Sequence, residues 1–174
     1  MVRAPRLYVG IAVSLMIANT ATAQEATYRR HDAALLPDSI ETPGAAATTD
    51  TSLICQRGYS KSVRHVTAGV KRQAYEAYAT QPHDSTCCEV DHLISLELGG
   101  SNQFQNLWPE PYLPHPGARD KDKVENWLHR EVCAGRIPIE VAQREIADDW
   151  YAAFLRIPAD QGTGLSHRVA SHDR

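Results

Sequence analysis

The spacing of apolar residues changes along the chain, and each change marks an element. Residues 7–19, LYVGIAVSLMIAN, form one long apolar run. Residues 24–52, including ALLPDSIETPGAAATTDT, mix Pro, Gly, Ala, Thr and acids without a sustained period, which predicts a flexible tether. Order is expected from Leu53-Ile54-Cys55 onward. GVKRQAYEAYA carries helix-forming residues with Tyr75 and Tyr78 on one face, and QPHDST breaks that pattern. In CCEVDHLISLEL, Val90 between polar neighbours predicts a strand finishing at Asp91-His92. Gly99-Gly100 lets the chain reverse, and Asn106-Leu107-Trp108 starts a return strand that Pro109 should end. Val124, Trp127, Leu128 and Val132 fall at helical spacing, so a helix should begin near Pro116 and stop at Ala134-Gly135. Ile139, Ala142, Ile146, Trp150 and Phe154 predict a last helix from about Pro138, and residues 158–174 read as a flexible tail. The pattern is that of one α+β domain over residues 53–157.

The N-terminus changes the picture of where the chain works. Arg3 and Arg6 precede the apolar run, and Ala21-Thr22-Ala23 supplies small residues at cleavage positions, so residues 1–23 read as a secretory signal peptide. The run is too short for a comfortable membrane span, and the alternative is an uncleaved anchor. A periplasmic or secreted bacterial protein follows, with no stable membrane span once the signal is removed. Loss of residues 1–23 takes two arginines and no acids, leaving 16 Lys+Arg against 21 Asp+Glu. That acidic balance argues against a protein that coats nucleic acid by bulk attraction. The charge is uneven, however. Arg57, Lys61, Arg64, Lys71 and Arg72 lie in a stretch without acids that could meet phosphates, or simply form a solvated face.

Cys55, Cys87, Cys88 and Cys133 would all reach an oxidising space, so a disulfide-stabilised domain is expected. A bond between adjacent Cys87 and Cys88 closes a strained ring and is discounted, which leaves Cys55 and Cys133 each tied to one of that pair. The sequence has no CxxC, so a redox enzyme or zinc ribbon has little support.

EVDHLISLELGG followed by NLWPEPY resembles the HNH endonuclease pattern of Asp-His, an apolar stretch, Gly-Gly and Asn-Leu. More narrowly it is similar to a small exported bacterial branch of that superfamily, and the likeness extends from CQRGYSKSVR to KDKVENWLHREVCAG and AQREIADDW. The resemblance implies an HNH-like ββα-metal hairpin with additional packed helices. It implies metal-dependent hydrolysis of phosphodiester bonds in DNA, and also in RNA as an open alternative, with low sequence specificity. Asp91 would bind one divalent ion, His92 would be the general base, and Asn106 would hydrogen-bond across the loop to keep His92 aimed. Mg²⁺ suits such oxygen ligands, with Mn²⁺, Ni²⁺ and Zn²⁺ as alternatives. Asp91 and His92 are adjacent, so they can share a site only where the strand ends or bends.

The further metal ligand stays open. His115 lies at the usual distance after Asn106, Asp120 and Asp122 stand near the helix start, and Asn126 and His129 lie farther along it. Lys121 is assigned to phosphate contact, beside the five cations named above. Ser95 stands where the family commonly has proline. Glu89, Glu97 and Glu110 read as solvated or strand-end charges, with Glu110 also placed near the metal as an alternative. Trp108, Trp127 and Trp150 read as core aromatics. His65, His83, His167 and His172 have no distinguishing spacing. The competing function is a non-catalytic periplasmic or envelope binding protein that uses the same frame as a scaffold. An antibacterial effector would share the chemistry and differ in having an immunity partner.

Overall fold

A computed structural model describes residues 27–80 and 86–159. The signal peptide, residues 24–26 of the expected tether, His83 and most of the expected tail lie outside them. Among the described residues, two short antiparallel sheets and five helices make up a mixed α+β fold.

The segment expected as a tether is instead built into the fold. β1 (Arg29–His31) pairs with β2 (Ala34–Leu36), and Ala34 and Leu36 are buried in the main core. The Trp150 indole N–H donates to the Leu35 carbonyl at 3.1 Å, and His31 Nδ1 lies 2.6 Å from Asp149 Oδ2. Strands this short give no readable period, so only tertiary packing reveals them.

α1 (Thr51–Ile54), α2 (Tyr59–Val63) and α3 (Ala68–Ala77) follow. The Asp50 carboxylate caps α1, and the Thr67 hydroxyl accepts from the Val70 N–H to start α3. β3 (Cys88–His92) then pairs with β4 (Leu107–Pro111), with Asp91 opposite Trp108 and His92 opposite Leu107. The return strand therefore runs through Pro109 rather than ending there. The flanking bonds Leu93 N–H to Asn106 O and Tyr112 N–H to Cys87 O fix the alternation of the ladder. Pro109 and Pro111 fall in its non-hydrogen-bonded pairs, where a missing N–H costs the ladder nothing.

Between the strands, two 3₁₀ turns (Leu96–Leu98 and Phe104–Asn106) carry the chain around. Gly99 has φ +76°, and a Cβ at Gly100 would stand 1.8 Å from the Ile94 carbonyl oxygen, so both reversals need glycine. α4 (Ala118–Cys133) and α5 (Ile139–Phe154) complete the fold. Val124, Trp127, Leu128 and Val132 face Ile139, Ala142, Ile146 and Trp150 in the main core, as their helical spacing predicts. A smaller cluster of Tyr78, Leu93 and Trp108 lies behind the β3–β4 hairpin.

Candidate functional site

β3 sends its side chains to two different sides. By strand alternation Val90 and His92 share one face, while Glu89 and Asp91 share the other with their partners Glu110 and Trp108. The Asp91 face packs on α4. The His92 face borders the segment that joins α2 to α3. The adjacent acid and imidazole thus have separate surroundings.

On the α4 side, the fully buried Lys121 ammonium donates to Asp91 Oδ2 and to the His92 carbonyl, each at 2.8 Å. It also pairs with Glu125, one helical turn along, and stands 3.5 Å from Glu110 Oε2. Burial alone would lower the lysine pKa, but Asp91, Glu110 and Glu125 together hold it well above the usual value. Burial likewise opposes ionisation of Asp91. The Lys121 charge and hydrogen bond, with help from Glu110 and the His92 N–H, outweigh it and bring Asp91 down to about 2. Glu110 goes the other way. Burial raises it well above a normal glutamate, and the nearby Asp91 carboxylate adds to that rise. Burial also lifts Glu125 to about 8 against the pull of Lys121. Asp91, Glu110, Glu125 and Lys121 thus form one buried cluster of three carboxyl groups around a single ammonium.

On the other side, the His92 ring is buried yet borders a groove of about 230 Å³ lined by Arg64, His65, Val66, Lys71 and Val90. Burial lowers its pKa, only partly offset by a 3.0 Å hydrogen bond to Asn102 Oδ1, so the imidazole is neutral near pH 7. Asn102 is itself fixed, because its Nδ2 donates to the Val63 carbonyl and its Oδ1 accepts the His65 N–H. That oxygen can only accept, so His92 donates through Nε2 and keeps its lone pair on Nδ1.

Asn106 is fully buried and ties the loop together. Its Nδ2 donates to Ile94 O and Ser101 O, and its Oδ1 accepts from the Ile94 and Ala45 N–H groups. It braces the loop as expected, while the direct hold on the His92 ring belongs to Asn102. Arg64 and Lys71 reach the groove. Arg57 and Lys61 are exposed elsewhere, and Arg72 pairs with Glu76. Lys121 does not face solvent, so it is corrected from a phosphate contact to a buried cation. Glu110, expected as a solvated charge, is buried because Lys121 and Asp91 surround its carboxyl group.

The remaining ligand candidates do not gather around Asp91. His115 is mostly exposed and its Nδ1 lies 3.3 Å from Asp120 Oδ2. Asp120 accepts the Gly117 N–H at the start of α4 and an Nζ–H of Lys123. Asp122 lines a separate cavity of about 570 Å³ with Glu89, Tyr112, His115 and Arg119. Asn126 bonds back to the Asp122 carbonyl. The residues present do not fit a divalent ion on Asp91, whose carboxylate is already committed to an ammonium. Among the described residues one trio of His, Cys or carboxylate ligand atoms lies within a metal ion's reach, formed by Cys55, His129 and Cys133 within 4.8 Å of one another.

Two of that trio are joined, since Cys55 pairs with Cys133 and Cys87 pairs with Cys88. This corrects the expected pairing. α4 brings Cys133 beside the end of α1, 5.6 Å between Cα atoms, whereas Cys88 is buried in β3 on the hairpin. Disulfides are consistent with an oxidising compartment. Among the described residues no helix is long and apolar enough to cross a membrane. Comparison with protein-family models, with curated proteins and with solved structures found no match for this chain.

Proposed function

We propose that this chain is an exported, HNH-like hydrolase of nucleic-acid phosphodiester bonds, acting in the periplasm or outside the cell with His92 as its general base. The observation that carries the reading is a neutral imidazole whose Nε2 is tied to Asn102 while the ring borders a groove with Arg64 and Lys71. A phosphate lying in that groove meets a guanidinium and an ammonium that offset its charge. Nδ1 of His92 takes the proton of a water as it attacks phosphorus, and the bond from phosphorus to the leaving sugar oxygen breaks, that oxygen taking a proton from solvent. Arg64 and Lys71 line the groove as cations that can hold the phosphate backbone, which supports the low sequence specificity of the proposed activity. The β3, β4 and α4 order supports the HNH-like frame. No step is routed through a divalent ion, because Asp91 holds Lys121.

The second reading is a binding protein on the same frame. It is favoured by the buried Lys121 ammonium standing against the carboxylate that would otherwise hold a metal.

The test incubates the purified, oxidised chain with supercoiled plasmid and separately with RNA, under Mg²⁺, Mn²⁺, Ni²⁺ or EDTA. His92→Ala, checked for intact folding, runs beside it. Cleavage that disappears in the variant is the expected result, and the EDTA lane shows whether a divalent ion is needed. Cleavage persisting in the variant, or absent throughout, rejects the reading.

A further inference from the structure

The cluster at the far end of α4 has no part in the His92 groove. Cys133 and His129 stand one turn apart on the same helical face, with Cys133 Sγ 3.4 Å from His129 Nε2. Cys55, at the end of α1, brings its sulfur to the same point. The three donor atoms come from two elements that the core already holds together through Ile54, Leu128 and Val132. Both cysteines are exposed, so a reductant can reach the bond. His129 Nε2 also lies 3.3 Å from the Ile54 carbonyl oxygen, a contact that it would give up.

We propose that Cys55, His129 and Cys133 form a redox-gated site for a soft-to-borderline divalent cation of the zinc class, closed as the disulfide and open as the dithiol. A dithiol reductant supplies two electrons and two protons. The sulfur–sulfur bond breaks, the reductant leaves as its own disulfide, and two thiols remain. The cation then displaces both thiol protons and, with the imidazole proton moved to Nδ1, binds two thiolates and Nε2, with water in the fourth position. The dimensions suit the ion. Zn–S and Zn–N bonds of about 2.3 and 2.1 Å in a tetrahedron place sulfur and nitrogen about 3.6 Å apart. The present 3.4 Å is already close to that value. Only the two sulfurs must separate, to about 3.8 Å by the same geometry, which side-chain rotation accommodates across a 5.6 Å Cα separation.

The experiment titrates Co²⁺ into the full chain, oxidised or reduced anaerobically with a phosphine, in a Cys87→Ser/Cys88→Ser background that removes the other thiols. The expected result is one equivalent bound only after reduction, with a thiolate-to-cobalt charge-transfer band, and displacement by Zn²⁺. His129→Ala should weaken binding by more than about tenfold, and Cys133→Ser should abolish the band. Circular dichroism follows the fold in every sample. A reduced chain that loosens and is restored by Co²⁺ also supports the site. Equal binding by oxidised chain, a band surviving in Cys133→Ser, or no stoichiometric binding after reduction overturns it.

Discussion

Lys121 Nζ lies 2.8 Å from Asp91 Oδ2 and the same distance from the carbonyl of the next residue, His92, so one ammonium grips both side chain and backbone of β3. The grip joins α4 to the hairpin at the residue that precedes the proposed base. Removing it leaves three carboxyl groups without a cation. Lys121→Met should cost about 3–5 kcal/mol, the usual penalty for breaking a buried pair from one side. Urea unfolding measures this, and adding Asp91→Asn to the same chain should restore part of the loss.

Glu125 sets a pH dependence of opposite sign to that of Asp91. Its carboxyl group is raised by burial to about 8, so the folded chain keeps a proton that the unfolded chain releases above its ordinary value of 4.5. Stability from this group is full below about pH 4.5 and declines as pH rises towards 8, by at most about 1.4 kcal/mol per pH unit. Glu125→Gln should flatten that decline in melts recorded between pH 5 and 8. Asp91, lowered from 3.8 to about 2, adds stability that is present above pH 3.8 and lost as pH falls through 2.

Asn102 holds the His92 ring by one hydrogen bond, and under the proposed function it is a positioning residue. Asn102→Ala should lower cleavage about tenfold, the worth of one hydrogen bond that fixes a tautomer, against about 10²–10⁴ for His92→Ala. The pH profile separates positioning from folding. The acid limb of activity should lie below 6.5, because burial lowers the imidazole, and Asn102→Asp should move that limb to higher pH.

Arg64 and Lys71 should each account for one phosphate contact. Alanine at either position should reduce the slope of log affinity against log salt by about 0.7–0.9, measured by anisotropy of a labelled oligonucleotide on His92→Ala protein. Arg57→Ala, outside the groove, should leave the slope unchanged.

The parts of the fold with a strong period were legible. Val124 to Val132 and Ile139 to Trp150 repeat every three to four residues, and α4 and α5 form there. β1 and β2 were not legible, because three residues each are too few to establish alternation. Lys121 was hidden for another reason. In KDKVEN it sits among charges that suggest a solvated face, and only Glu125 one turn later hints at a pair. Burial of a lysine is decided by what packs over it, here Asp91 and Glu110 from the hairpin. Asn102 was equally obscure. GGSN reads as a turn, and the asparagine reaches His92 only because the two 3₁₀ turns fold the loop back over the strand end. That β3 finishes at His92 was visible from the strand pattern alone.

The Cys55–Cys133 bridge spans 78 positions of sequence and encloses both halves of the groove, His92 and Arg64 among them. A protease cut at any peptide bond between those cysteines would still leave a single covalent molecule. The nicked protein would migrate as one band on a denaturing gel without thiol and as two with it, carrying its wounds unseen until reduced.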